Sequence, residues 1–242
     1  MINSLIHIGT SGWSYNHWSG KFYPEDVKKN RWLEYYSKEF DTVEINSSFY
    51  HLPEIQTFIN WRNNTGEKFI FSIKASRYIT HIKRLVNCNE PLERLFKAAE
   101  GLEEKRGPFL FQLPPGLKKD KSVLKNFLET LPQNYKYAFE FRNESWFTEE
   151  IYKLLEDFGC AIVISSAPCF PYVEKITADF CYIRMHGSAS LYSSCYSEDE
   201  LKKISVLIKN NLKGGIENYV YFNNDTEAFA VDNARMLIKM VS

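Results

Sequence analysis

Eight short runs of apolar and β-branched residues, segments of helical spacing between most of them, and a length of 242 residues predict an α/β fold. The architecture expected is a closed (β/α)8 TIM barrel, a single domain over residues 1–242, because eight strand–helix units fill about 250 residues. An open doubly wound sheet is the competing arrangement, but no Gly-rich phosphate fingerprint follows the first strand run.

The first run, LIHIGTS from Leu5, passes into GTSGWSYNHWSGKFYP at residues 9–24. Glycines at 9, 12 and 20 and a proline forbid a regular element here and let the backbone turn sharply, so this is the loop leaving strand one. Trp32, Tyr36 and Phe40 then keep helical spacing, and DTVEINSSFY from Asp41 is the second strand run. KFIFSIKAS from Lys68 is the third, followed by a helix carrying Leu92, Leu95, Phe96, Ala99 and Leu102, for which Asn89 is a candidate cap. GPFLFQLPP from Gly107 precedes a helix with Val123, Leu124, Phe127, Leu128 and Leu131, with Asp120 as candidate cap. KYAFEFRNESW from Lys136, CAIVISSA from Cys160 and FCYIRMHG from Phe180 give strands five to seven, and the segment Ala167 to Asp179 between the last two looks like loop. Ser197 and Glu200 form an S-x-x-E capping box, NYVYFNND from Asn218 is strand eight, and Ala230, Ala234, Leu237 and Val241 mark the closing helix.

Composition is that of a globular chain, 44% hydrophobic and 25% charged, with Lys+Arg and Asp+Glu balanced at 30 each. No whole-molecule field therefore draws in nucleic acid or an acidic membrane, and attraction for anions has to be local. Cys88, Cys160, Cys169, Cys181 and Cys195 are odd in number with no C-x-x-C pair, which reads as free thiols. With no signal-like N-terminus and no apolar run of membrane-spanning length, a soluble cytoplasmic protein without membrane partners is expected.

Barrel strands are covered on both faces, so each polar residue inside one needs a reason. Glu44 and Asn46, Ser72 and Lys74, Gln112, Glu140 and Arg142, Arg184 and His186, and Asn223 all lie toward the C-terminal ends of their runs. The members of each pair are two apart and share a face. In barrel enzymes that end holds the active site. Buried salt bridges that merely lock the barrel would produce the same pattern. As a site, the excess of Lys74, Arg142 and Arg184 over the two glutamates suits an anionic ligand, and Glu44, Glu140 and His186 are the candidates for acid–base catalysis. Trp13, Tyr15, Trp18 and Trp146 are candidate aromatic walls, with Asn46, Gln112 and Asn223 as polar contacts, while Phe22 and Tyr23 are expected to pack inside.

No metal ligands are assigned. His186, Glu44, Glu140 and His81 could supply a single divalent ion, but no H-x-H or H-E-x-x-H pattern or Asp cluster is present, and the cofactor stays unknown. His7 reads as a structural strand histidine, and His17 and His51 as loop residues. Ser11, Ser47, Ser48, Ser165 and Ser166 lack a nucleophile elbow. Arg77, His81, Lys83 and Arg84 beside Tyr78 read as a solvated face, although basic residues with an aromatic can also track a phosphate backbone.

The motifs GTSGWSYNHWSGKFYP, VEINSSFYHLP, FIFSIKA, FLFQLPP, FEFRNESW, YIRMHG and VYFNN, with Asn233 and Ala234 downstream, occur in an order that resembles the YecE-like family, also called domain of unknown function 72, from about residue 6 to residue 238. The resemblance implies a TIM barrel and brings no established activity. Its likeness to apurinic endonuclease and sugar isomerase barrels is fold analogy alone. This chain departs from the family pattern at strand six, where Ser165 and Ser166 stand where an acidic residue is expected.

Three functions are therefore open. The leading one is an enzyme for a phosphorylated or otherwise anionic small molecule or nucleic-acid end. A glycosidase using Glu44 and Glu140 is the second. A non-catalytic module that stacks nucleotides or a single strand on Trp13, Trp18 or Trp146 is the third. The oligomeric state is left open.

Overall fold

In the computed structural model, which describes residues 4–242, the eight runs become eight parallel strands hydrogen-bonded in sequence order and closed by pairing of the last with the first. They are β1 (Ile6–Ser11), β2 (Thr42–Ile45), β3 (Ile70–Lys74), β4 (Arg106–Gln112), β5 (Tyr137–Glu140), β6 (Ala161–Ser166), β7 (Phe180–Met185) and β8 (Glu217–Phe222). Around them run α1 (Trp32–Tyr36), α2 (Ser47–Tyr50), α3 (Ile55–Asn63), α4 (Asn89–Ala99), α5 (Lys121–Leu128), α6 (Glu149–Asp157), α7 (Glu198–Lys213) and α8 (Phe229–Val241). The expected TIM barrel is the fold observed.

Local chemistry explains two of the helix starts. Asp120 accepts the Val123 N–H and starts α5, and the Ser197–Glu200 capping box starts α7. Asn89 is the first helical residue of α4 and caps nothing, since Cys88 precedes the helix without a side-chain bond to it. Among the described residues no helix joins β6 to β7, as the APCFPYVEKITA stretch indicates, with Pro168 and Pro171 withholding backbone donors. Gly12 and Gly20 do turn through positive φ, but Gly9 is an ordinary strand residue. There a Cβ would lie 2.1 Å from the Thr42 carbonyl oxygen, so glycine is needed for the close approach of β1 to β2.

Most apolar side chains pack between the strands and the helices, while a smaller set fills the barrel itself. That inner filling is partly polar. Tyr182, Tyr219 and Tyr221 pack against one another with Val163 and Leu110, and the Tyr221 hydroxyl lies 2.7 Å from both Thr42 Oγ1 and Ser72 Oγ. Tyr221 is thereby partnered, which removes the penalty of burying its hydroxyl. A polar column thus rises through the barrel and ends, toward the C-terminal rim, in charge.

Candidate functional site

At the top of this column the strand-end residues converge as their two-residue spacing requires. Arg184 on β7 is fully buried and spans two carboxylates: its Nε donates to Glu44 Oε2 at 3.0 Å, Nη2 to Glu44 Oε1 at 2.7 Å and Nη1 to Glu140 Oε2 at 2.5 Å. Ser11 and Tyr182 donate the remaining bonds to Glu44, at 2.7 Å each. Glu140 Oε1 accepts from Arg142 Nε and His186 Nε2, both at 3.1 Å. His186 Nδ1 lies 3.1 Å from Asn223 Nδ2. An Nε2–H tautomer satisfies both contacts, whereas the other would set a lone pair against the Glu140 carboxylate.

The electrostatics follow from this pairing. Burial opposes ionisation of Glu44 and Glu140, but the neighbouring guanidiniums outweigh it, holding Glu44 below the usual carboxylate range and Glu140 well below it. Burial lowers His186 to about 4 against the pull of Glu140, so its ring is neutral at pH 7. Burial also lowers Lys74, to about 7, reinforced by the charge of Arg184 and opposed by Glu140 and Glu44. Two carboxylates balance two guanidiniums, and Lys74 is the excess charge.

This geometry revises the roles expected from sequence. Glu44, Glu140 and His186 are brought together but have no exposed surface, and their polar atoms are already engaged. They position other groups, and direct proton transfer to a ligand does not fit them as placed. Arg184 likewise cannot fork onto a ligand. The glycosidase reading loses its acid, because both carboxyls are held ionised and bridged by one guanidinium, and neither has the raised pKa required. Lys74, Arg142, Asn46 and Asn223 remain partly exposed around the mouth, with Gln112 almost covered. Phe170 lies over the Arg142 guanidinium at 4.2 Å, and Phe170 and Tyr192 both pack edge-on against His186, so the β6–β7 and β7–α7 loops roof that side.

The aromatic loop divides differently from expectation. Trp18 is buried with Phe22 and Tyr23, its indole N–H donating to the Asp225 carbonyl at 2.9 Å, and Tyr23 stacks on Trp32 at 4.6 Å. Trp146 is buried as well, stacked on Phe141 at 4.7 Å and bonded to the Leu117 carbonyl. Neither can stack a base. Trp13 and Tyr15 do reach a cavity of about 560 Å³ beside the mouth, shared with Tyr50, Trp61 and Asn46, whose Oδ1 is buried without a protein partner. Tyr50 and Trp61 carry little signal in the sequence, where YHLPEIQTFINW offers only two aromatics flanking a short segment of helical spacing. The supporting Ser11, Tyr182 and Tyr221 were also overlooked as site residues, although Tyr182 and Tyr221 stand two residues before Arg184 and Asn223 on the same faces. A larger cavity, about 800 Å³, opens at the opposite end among Tyr135, Lys136, Cys160 and Asp179, away from the converging groups. Among the described residues no group of three or more His, Cys, Asp or Glu is placed to hold a metal, and no helix is long and apolar enough to cross a membrane. All five cysteines are free thiols.

Fold and site together define an eight-stranded TIM barrel with a charged cluster at the C-terminal ends of its strands. The chain belongs to the DUF72 family, "Protein of unknown function DUF72", whose model matches residues 7–242. It is 27% identical over 146 residues to the UPF0759 protein YecE of Escherichia coli K12, covering 60% of this chain, and spans about half (51%) of that relative's length. It is 25% identical to the UPF0759 protein YunF of Bacillus subtilis, over 98% of this chain and 95% of that one. Among solved structures, a DUF72 family protein from Thermotoga maritima superposes with a TM-score of 0.88 at 31% identity, over 98% of both chains. One from Enterococcus faecalis superposes at 0.84 with 18% identity, over 98% of this chain and 95% of that one, a likeness of fold.

Proposed function

We propose that the protein is an enzyme acting on a small organic anion, phosphorylated or carboxylated, at the C-terminal mouth of the barrel. The observation that carries this reading is the division of the cluster: Glu44, Glu140 and Arg184 are closed on one another, while Lys74 and Arg142 keep exposed surface. Arg142 spends its Nε on Glu140, which leaves both Nη groups for a ligand oxygen. Lys74 supplies the unbalanced charge and, with its pKa lowered to about 7, can both hold an anion and move a proton near neutrality. Asn46, Gln112 and Asn223 add neutral hydrogen-bonding groups around them.

The cavity lined by Trp13, Tyr15, Tyr50 and Trp61 favours a substrate that carries a ring as well as an anion, with Asn46 common to both surroundings. A nucleotide or nucleic-acid end fits that description, and so does a sugar phosphate. Inorganic phosphate titrated into the protein by calorimetry should bind, weakly, and Arg142→Met and Lys74→Met should each reduce affinity about tenfold or more. Unchanged phosphate binding in both variants would sink the assignment. A short single-stranded oligonucleotide titrated at rising salt separates the non-catalytic module: that reading requires binding whose affinity falls steeply with salt.

A further inference from the structure

We propose that Lys74 is a nucleophilic amine that forms an imine with a small aldehyde or ketone carrying a carboxylate or phosphate. This deepens the anion-site reading and rests on it for the substrate's charge. Lys74 ends β3, and its side chain rises into the mouth with its nitrogen 4.2 Å above the centre of the Phe49 ring. Every other charged group of the cluster is hydrogen-bonded to a partner, yet the Lys74 nitrogen makes no hydrogen bond or ion pair among the described residues. It is held against a buried aromatic face, part of it open to the mouth, where burial and two guanidiniums disfavour its protonation against the opposing charges of Glu140 and Glu44. Desolvation and nearby cations are the two devices that turn a lysine into a nucleophile at neutral pH.

The step balances without a further reactant. The nitrogen lone pair attacks the carbonyl carbon, both amine hydrogens pass to the carbonyl oxygen through solvent, that oxygen leaves as water, and a C=N bond replaces C=O. Arg142 would hold the substrate's anionic group, and the charge of Glu140, fixed by Arg184 and His186 and acting on Lys74, would favour the cationic form of the imine.

The test is reductive trapping of the whole protein near pH 7.5 with borohydride, which delivers hydride to the imine carbon while nitrogen takes a solvent proton. Pyruvate and dihydroxyacetone phosphate serve as the two anionic carbonyl probes and acetone as a neutral control. The expected result is a stable adduct on the Lys74 peptide, formed at least ~10-fold faster than on the exposed lysines, which are the internal reference. Inorganic phosphate should slow it, and acetone should label it less. Labelling spread evenly over the exposed lysines, with Lys74 no faster, overturns the proposal. Phosphate binding that depends on Lys74 without any adduct there overturns the imine and leaves the anion site standing. A Lys74 adduct indifferent to phosphate and to probe charge supports the amine chemistry and overturns the anion reading.

Discussion

Lys74 shows how one residue's position sets its chemistry. On a solvated surface its ammonium would persist to about pH 10.5, but here burial and Arg184 lower its pKa to about 7. Between these values the unfolded chain binds the proton and the folded chain does not. Its contribution to stability therefore rises with pH across that window, and the penalty is complete below about 7. Lys74→Met should accordingly stabilise the protein by about 1–3 kcal/mol at pH 7, allowing for its partial exposure, with the gain gone near pH 10.5. Denaturant unfolding at the two pH values checks this, and an equal effect at both would contradict it. Ser165 bears on the same balance. It sits opposite Arg184 in the β6–β7 register, inside the barrel, and its hydroxyl has no protein partner. A serine there preserves the single excess charge, whereas Ser165→Asp would cancel it. The expected outcome is a loss of phosphate affinity of about tenfold or more, measured by calorimetry, together with a pKa for Lys74 moved back up.

At the scale of elements, the loop between β1 and α1 is half core and half rim. Trp18 and Tyr23 are fastened by hydrogen bonds to the carbonyls of Asp225 and Trp13, so the loop ties the end of β8 to its own start. Trp18→Ala should cost about 3–5 kcal/mol, as removal of a buried indole does elsewhere. Trp13→Ala, at the cavity wall, should cost far less stability. A thermal or denaturant series distinguishes them, and equal losses would mean that the division is wrong. The sequence shows why this was only half legible. GTSGWSYNHWSGKFYP declares a non-regular aromatic segment through its glycines, but a ring's burial depends on what lies across from it, and the Asp225 carbonyl is some two hundred residues away. The strands were legible because parallel barrel strands are short apolar runs, and their polar interruptions fall on one face by period two alone. The helix α6, EEIYKLLED, was not marked out among the helical segments, although Ile151, Tyr152, Leu154 and Leu155 bury one side. Pairing within the charged cluster was illegible in a stronger sense: nothing in Arg184 or Glu44 taken singly says that one guanidinium will bridge β2 and β5, since that depends on barrel closure.

For the whole molecule, the barrel carries ionic networks at both ends, and they respond to pH in opposite directions. At the N-terminal end His7 of β1 lies 3.0 Å from Glu217 and 3.6 Å from Asp41, stacks on Tyr219, and is joined through Glu217 to Lys136. Burial opposes its charge, but the neighbouring carboxylates of Asp41 and Glu217 prevail and raise it to about 9. A histidine raised in the folded state gives stability that is complete below about 6.5 and is lost as pH rises through 9. At the other end Glu44 and Glu140 are lowered, so their contribution is present above the ordinary carboxylate range and disappears as pH falls through their folded values. His186, lowered to about 4, adds to the acid side, because the unfolded chain takes up its proton first between 6.5 and 4. Stability should therefore fall on the acid flank, while on the alkaline side the loss from His7 runs against the gain from Lys74. His7→Gln should act only on the alkaline side: it should be less stable than the wild type by on the order of 1–2 kcal/mol at pH 6.5, a deficit that disappears by about pH 9, while the acid flank stays in place. Unfolding free energies measured from pH 4 to 10 on the wild type and this variant test the assignment, and a difference between the two that stays constant from pH 6.5 to 9 would place the pH-dependent term elsewhere than β1. Because the tyrosine column lies between the two networks, the variant should also leave phosphate binding at the mouth unchanged, which separates the end of the barrel that holds it together from the end proposed to act.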